Sequence, residues 1–116
     1  SLGGLLATEV LFRKPDLFDD YILVSPSLWW NNGMLASGAE AWVKAHPAAT
    51  QRIFIATAPD DEMMLKQING LVAALRANAS PTLKWWYVPF PEESHPTILH
   101  RAVYRAFEAL YPRKKN

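Results

Sequence analysis

Residues 52–77 read RIFIATAPDDEMMLKQINGLVAALRA and make up one strand, one turn and one helix. The first six residues are mostly apolar, which is typical of a strand covered on both faces. Pro-Asp-Asp-Glu at 59–62 supplies a turn and acidic charge at the start of a helix. From 64 to 77, five apolar residues at helical spacing form one stripe: Leu65, Ile68, Leu71, Val72 and Leu75.

The same unit recurs on both sides of this stretch. We expect a helix at 2–13, a strand at 21–25, a break at 31–33, a helix at 34–45, a strand at 83–88 and, opened by Pro96, a helix at 98–110. Residues 1–116 contain no linker and no internal sequence repeat, so we expect them to form a single domain-like unit. The predicted fold is α/β, with three mostly parallel strands and four helices.

Composition excludes several classes of function. The 116 residues include 12 basic and 11 acidic side chains and no cysteine. The balanced charge argues against nucleic acid as a partner, and the absence of cysteine excludes thiol chemistry. No apolar run reaches the roughly 20 residues that cross a bilayer. The three histidines match no short metal-ligand pattern, so we expect no metal and no cofactor, and the sequence leaves localisation open.

The first candidate for chemistry is Ser1. Ser1-Leu2-Gly3-Gly4 matches the second half of the G-x-S-x-G nucleophile elbow, in which a serine sits between a strand and a helix. Gly3 would avoid crowding in that turn, and the backbone N–H of Leu2 would be one oxyanion donor. The alternative is that Ser1 only caps the helix.

His95 is the candidate general base. It lies in the predicted loop between the third strand and the last helix, which is where an α/β-hydrolase places its catalytic histidine. The alternative is an ordinary surface histidine. We expect His46, just before Pro47, and His100, inside the last helix, to be structural.

The acid should follow the second strand, where three carboxylates compete. Asp60, Asp61 and Glu62 all occupy that turn, and we favour Asp61. These carboxylates could instead stabilise the helix start through its dipole. Glu93 is a lesser candidate.

Trp29 and Trp30 follow the first strand and would lie on the same rim as the nucleophile. Paired indoles suit the wall of a pocket for an acyl or aryl-acyl group, although packing beneath the loop would equally explain them. Trp85 and Trp86 lie within a strand and are expected in the core.

With these motifs, the chain resembles the branch of the α/β-hydrolases that contains esterase D and the enterobactin-type siderophore esterases. The resemblance runs nearly end to end and is carried by four segments: Ser1-Leu2-Gly3-Gly4-Leu5, Lys14-Pro15-Asp16-Leu17-Phe18, Ser25-Pro26-Ser27-Leu28-Trp29-Trp30 and Glu93-Ser94-His95. It implies that Ser1 is acylated and that His95 is its base. The same correspondence places the acid at Asp61, although siderophore-esterase relatives can lack this acid. Members of this branch usually have glycine directly after the histidine, whereas this chain has Pro96 after His95.

The resemblance also implies that about five strands and a second oxyanion donor precede the serine in a complete member. We therefore expect these residues alone to be nearly inactive and to associate with the missing N-terminal half, or with themselves through an uncovered strand edge.

The sequence thus predicts a serine carboxylic-ester hydrolase acting on a small-molecule ester, with siderophore trilactones first among substrates. Thioesters such as S-formylglutathione are an alternative substrate class. A non-catalytic α/β binding module is the alternative of a different kind, and an N-terminal nucleophile hydrolase would leave His95 and the tryptophan pair without a role.

Overall fold

The computed structural model describes residues 2–28 and 30–113, and leaves out the side chains of residues 30–32 and 35. Within them the chain forms helix α1 (Leu2–Arg13), a 3₁₀ turn (Pro15–Leu17), strand β1 (Asp20–Val24) and helices α2 (Trp30–Ser37) and α3 (Ala39–Ala45). Strand β2 (Arg52–Thr57), helix α4 (Glu62–Asn78), strand β3 (Lys84–Pro89) and helix α5 (Ile98–Leu110) follow.

The three strands form one parallel sheet in the order β1-β2-β3. The pairing aligns Asp20 with Arg52, and it aligns Thr57 with Pro89 at the last pair of β2 and β3. Parallel strands in this order bring all three carboxyl ends to one edge. The α/β class and the parallel strands predicted from the sequence are confirmed.

Helices cover both faces of the sheet, as the continuous apolar strands predicted. One face packs against α1 to α4 through a core that includes Leu11, Leu23 and Ile68, each fully buried. The other face packs against α5, whose Ile98, Ala102 and Ala106 meet Phe54. Fully burying one large aliphatic side chain stabilises a fold by about 1.5–3 kcal/mol. The two cores therefore stabilise the sheet from both faces.

The region between β1 and β2 differs from the prediction. The expected break at residues 31–33 lies inside α2, where Gly33 has a φ of +71°. The expected single helix at 34–45 is divided at Gly38, because α2 ends at Ser37 and α3 starts at Ala39. Gly38 is the N-cap of α3, a position at which glycine is tolerated far better than a large apolar residue.

Other differences are shifts at element ends. Ser25 lies beyond β1, and β3 runs one residue later than expected. The last helix starts at Ile98, so Pro96 lies in the turn before it. Trp85 and Trp86 are half-buried, Trp85 against one core and Trp86 against the other.

A polar network ties the end of α5 to the amino edge of the sheet. Arg52 donates from Nε to Asp20 Oδ1 (2.7 Å) and from Nη2 to Asp20 Oδ2 (2.9 Å). Its Nη1 donates to the Leu110 carbonyl at 2.7 Å, and the Tyr111 hydroxyl donates to Asp20. The hydrogen bond from Arg52 holds the pKa of Asp20 below its ordinary value.

Among residues 2–28 and 30–113, no helix is both long enough and apolar enough to pass through a membrane.

Candidate active site

A histidine and a carboxylate meet at the carboxyl edge of the sheet. His95 Nδ1 lies 3.0 Å from Asp60 Oδ1. Asp60 follows β2 and His95 follows β3, two adjacent parallel strands, so their loops open on the same side. The Asp60 side chain is 1% exposed, whereas that of His95 is 43% exposed. A buried carboxylate therefore holds one ring nitrogen while the ring itself stays accessible to a ligand.

The second ring nitrogen of His95 is available for chemistry. Nothing in the described part of the chain hydrogen-bonds to Nε2. When Nδ1–H donates to Asp60, Nε2 carries the lone pair and can accept a proton. This is the arrangement that a general base needs.

Two further donors hold the other oxygen of Asp60. Ser25 Oγ donates to Asp60 Oδ2 at 2.7 Å, and the Ala58 backbone N–H donates to the same oxygen at 3.2 Å. With His95 the carboxylate has three partners, as a buried charge requires. Sequence reasoning assigned no role to Ser25, although its position directly after a buried strand and before proline could have drawn attention to it.

The sequence favoured Asp61 as the acid, and the structure gives the Asp61 carboxylate a different partner. Asp61 is the N-cap of α4, and its Oδ1 accepts from the Met64 backbone N–H at 2.8 Å. The Asp61 side chain therefore stabilises the start of α4, which is the alternative that the sequence left open for these carboxylates. Asp60, one of the alternatives left open, contacts His95 instead.

The remaining acidic candidates point elsewhere. Glu62 lies in the first turn of α4 and is exposed. Glu93 pairs with Arg101 Nε at 3.2 Å. Of the four carboxylates considered, Asp60 contacts His95.

The loop that carries His95 is braced by its own hydrogen bonds. The Ser94 backbone N–H donates to Thr97 Oγ1 at 2.8 Å, and the Ile98 N–H donates to the Ser94 carbonyl at 3.0 Å. These bonds join the loop to the first turn of α5. The position of His95 therefore depends on a short braced turn that includes Pro96.

Helix α1 starts at the same edge of the sheet. Its Gly4 is buried against the loop after β1, where an added Cβ would lie 2.9 Å from Pro26 Cα and 3.3 Å from the Val24 carbonyl oxygen. Side chains larger than hydrogen do not fit there. At Gly3, where the sequence predicted crowding, a Cβ would meet nothing within 4 Å in the part of the chain that the structure describes.

The predicted nucleophile and some of the predicted pocket residues lie outside the residues that the structure describes. Ser1 and Trp29 lie outside the described residues, and the side chain of Trp30 does too. Leu2 is the first residue of α1 and is 72% exposed. The roles of Ser1, the Leu2 N–H and the tryptophan pair remain predictions.

The other two histidines lie apart from this site. His46 follows α3, where its Nδ1 lies 2.7 Å from the Trp42 carbonyl oxygen and its ring stacks on Trp42 at 4.5 Å. His100 is exposed on α5. In residues 2–28 and 30–113, no three metal-binding side chains come together.

Sequence comparison relates the chain to characterised proteins. No family model matches it. It is 46% identical over 54 residues to a siderophore enterobactin esterase of Emericella nidulans, and 30% identical, over 97% of its length, to the ferri-bacillibactin esterase BesA of Bacillus subtilis. The chain is a homologue of siderophore esterases. It spans 18% and 41% of the lengths of these two siderophore esterases, respectively.

Solved structures agree with the fold. The BES protein from Bacillus cereus is 26% identical and superposes with a TM-score of 0.80 over 90% of this chain and 40% of its own. An IroE-like serine hydrolase from Shewanella oneidensis is 22% identical, with a TM-score of 0.83 over 93% of this chain and 37% of its own. This siderophore-esterase homologue therefore has the fold of part of an α/β-hydrolase.

Proposed function

We propose that the protein carrying this chain hydrolyses carboxylic esters through a serine acyl-enzyme, with Ser1 as nucleophile, His95 as base and Asp60 as acid. The observation that carries the proposal is the hydrogen bond between His95 and the buried Asp60. A second support is that Ser25, which donates to Asp60, is followed by Pro26, which packs against Gly4 in the first turn of α1. In the sequence this turn directly follows Ser1.

The proposed reaction follows from the free nitrogen of His95. Nε2 takes the proton of the Ser1 hydroxyl as Ser1 Oγ attacks the ester carbonyl, and Asp60 stabilises the imidazolium that forms. The Leu2 N–H donates to the oxyanion. His95 then returns the proton to the leaving alcohol. A water molecule, deprotonated by the same nitrogen, then attacks the acyl-enzyme, and His95 returns that proton to Ser1 Oγ as the acid is released.

Siderophore trilactone esters are the substrates we propose first. Support comes from two relatives, one named as an enterobactin esterase and the other as a ferri-bacillibactin esterase. The exposed face of His95 leaves room for a large ester. Trp29 and Trp30 are proposed as the apolar wall of the acyl pocket.

We also propose that the 116 residues need further sequence for full activity. The chain spans 41% of the length of BesA, and the resemblance implies that a second oxyanion donor, besides the Leu2 N–H, precedes Ser1. Losing one such donor costs about 10²–10³ in kcat. The isolated 116-residue chain should hydrolyse a p-nitrophenyl ester slower than the full-length protein by at least that factor. Equal rates would contradict this part of the proposal.

The experiment that tests the function uses the full-length protein with a purified enterobactin-type trilactone and separates the released acid by chromatography. We expect hydrolysis that Ser1→Ala and His95→Ala abolish. His100→Ala is the matched control, because it removes an exposed imidazole five residues away in the sequence and should leave the rate unchanged. Turnover of thioesters in preference to the trilactone would redirect the substrate assignment, and no turnover of either would favour a non-catalytic binding module.

A further inference from the structure

We propose that Ser25 is a positioning residue, whose hydroxyl fixes the Asp60 carboxylate so that the opposite oxygen faces His95. This inference rests on the proposed function and adds a fourth residue to it. Ser25 lies at the end of β1, Asp60 follows β2 and His95 follows β3. The three strand ends would together set the geometry of the base.

The hydroxyl of Ser25 has one polar partner suited to this role. Ser25 is 1% exposed, and its Oγ lies 2.7 Å from Asp60 Oδ2. The Asp60 side chain is itself 1% exposed, so bulk water does not reach the carboxylate to replace a lost donor. A hydrogen bond to a buried charged acceptor is stronger than one between neutral groups. The bond therefore restrains the orientation of Asp60.

The restraint acts on rotation of the carboxylate. The last side-chain torsion of aspartate is soft and roughly two-fold, so one hydrogen bond to His95 would not fix the plane of the group. Donors from Ser25 and from the Ala58 N–H both hold Oδ2. With Oδ2 held, Oδ1 faces His95 Nδ1.

The backbone at Ser25 is strained, which supports a specific role. Its φ is +41°, in the left-handed region that a serine seldom adopts. Two contacts hold it there. The Ser25 N–H donates to the Ala56 carbonyl at 2.8 Å, and the adjacent Pro26 packs beneath Gly4 of α1. Strain of this kind persists where the surroundings impose it, and it is concentrated at functional sites.

The same contacts connect two parts of the proposed site. Pro26 lies against the first turn of α1, which follows Ser1, and Ser25 lies against the acid. A single loop thus sets the distance between the nucleophile helix and the acid–base pair.

A double-mutant cycle separates positioning from a merely structural role. In the full-length protein, Ser25→Ala should lower kcat for a p-nitrophenyl ester by about 10- to 100-fold, the loss expected when a catalytic group is misplaced by about 1 Å, with KM little changed. In an Asp60→Asn background the same substitution should cause no further loss, because Ser25 acts through the carboxylate. Ser27→Ala removes a hydroxyl from the same loop and should leave kcat unchanged.

Ser25→Gly is the control for misfolding, because glycine adopts a φ of +41° without strain. It should reproduce the loss in kcat of Ser25→Ala while unfolding at a higher temperature than Ser25→Ala, because it loses the same hydrogen bond but its backbone is not strained. Activity of both variants within twofold of the parent would overturn the inference, as would an equal loss in the Asp60→Asn background.

These experiments distinguish a failure of the proposed role of Ser25 from a failure of the proposed esterase function. If Ser1→Ala and His95→Ala abolish hydrolysis but the Ser25 variants do not impair it, the esterase proposal stands and the role of Ser25 is wrong. If Ser1→Ala and His95→Ala retain full activity, the proposed function fails and the role of Ser25 fails with it.

Discussion

Asp60 Oδ1 lies 3.0 Å from His95 Nδ1, although 35 positions separate the two residues in the sequence. The parallel register explains the approach. Thr57 pairs with Pro89 at the last pair of β2 and β3, so both strands end at the same level. Asp60 comes three residues after one end, and His95 enters from the longer loop after the other.

Replacing the carboxylate that contacts His95 should abolish most activity, whereas replacing its neighbour should not. Asp60→Asn should reduce kcat by about 10⁴-fold, the loss seen when a triad aspartate is changed and the histidine is left in the wrong tautomer. Asp61→Asn should leave kcat unchanged, because asparagine caps a helix as well as aspartate. Steady-state hydrolysis of a p-nitrophenyl ester measures both.

These two variants make a matched pair, because each converts one carboxylate to an amide at adjacent positions. A loss of kcat in Asp61→Asn with full activity in Asp60→Asn would restore the assignment favoured from the sequence. Full activity in both would leave Ser1 and His95 as a dyad without an acid.

The close packing of α1 against Pro26 predicts that a substitution at Gly4 lowers the stability of the protein. Gly4→Ala should lower the free energy of unfolding by about 1–3 kcal/mol, because the new methyl group would overlap Pro26. Urea denaturation of the full-length protein measures the change.

Gly70→Ala is the control for that experiment. A Cβ at Gly70 meets nothing within 4 Å among the described residues, and Gly70 lies inside α4. The same substitution should there stabilise the protein by about 0.5–1 kcal/mol, since alanine favours a helix interior. A Gly4→Ala variant that is as stable as the parent would contradict the packing at Pro26.

Stability at acid pH should depend on the Asp20 carboxylate. The hydrogen bond from Arg52 lowers the pKa of Asp20 in the folded state. A lowered carboxyl pKa adds stability that is present above the unfolded pKa, about 3.9, and is lost as pH falls through the folded value. Asp20→Asn should therefore destabilise the protein at pH 7, and the difference from the parent should shrink below about pH 4.

Chemical denaturation at pH 7 and at pH 3 tests this dependence. Asp19→Asn, the same change at an exposed neighbour, serves as the control. A difference between parent and Asp20→Asn that is the same at both pH values would show that the ion pair adds no pH-dependent stability.

The sequence was sufficient for the fold because its signals are strong and local. The buried strand at 52–57 and the apolar stripe of the following helix define one unit, and the unit repeats. Parallel pairing follows from that repetition. The division at Gly38 was missed, because the apolar residues on both sides keep a helical spacing through it.

The acid could not be chosen from the sequence for a physical reason. Asp60 and Asp61 are adjacent and chemically identical, and a shift of one residue decides which of them caps α4 and which contacts His95. The Asp61 backbone, at φ −64° and ψ 158°, directs its side chain over the helix. The contact between Ser25 and Asp60 was equally hidden, since it depends on strand register and on a positive φ at a residue other than glycine.

Labelling with a fluorophosphonate serine-hydrolase probe, followed by mass spectrometry of the intact protein and its peptides, is the most direct test of Ser1 as a nucleophile activated by His95 and Asp60. We expect a single adduct on Ser1 of the full-length protein, formed much more slowly in His95→Ala and Asp60→Asn and at an unchanged rate in His100→Ala. An adduct on another serine, or no adduct on the full-length protein, would contradict it.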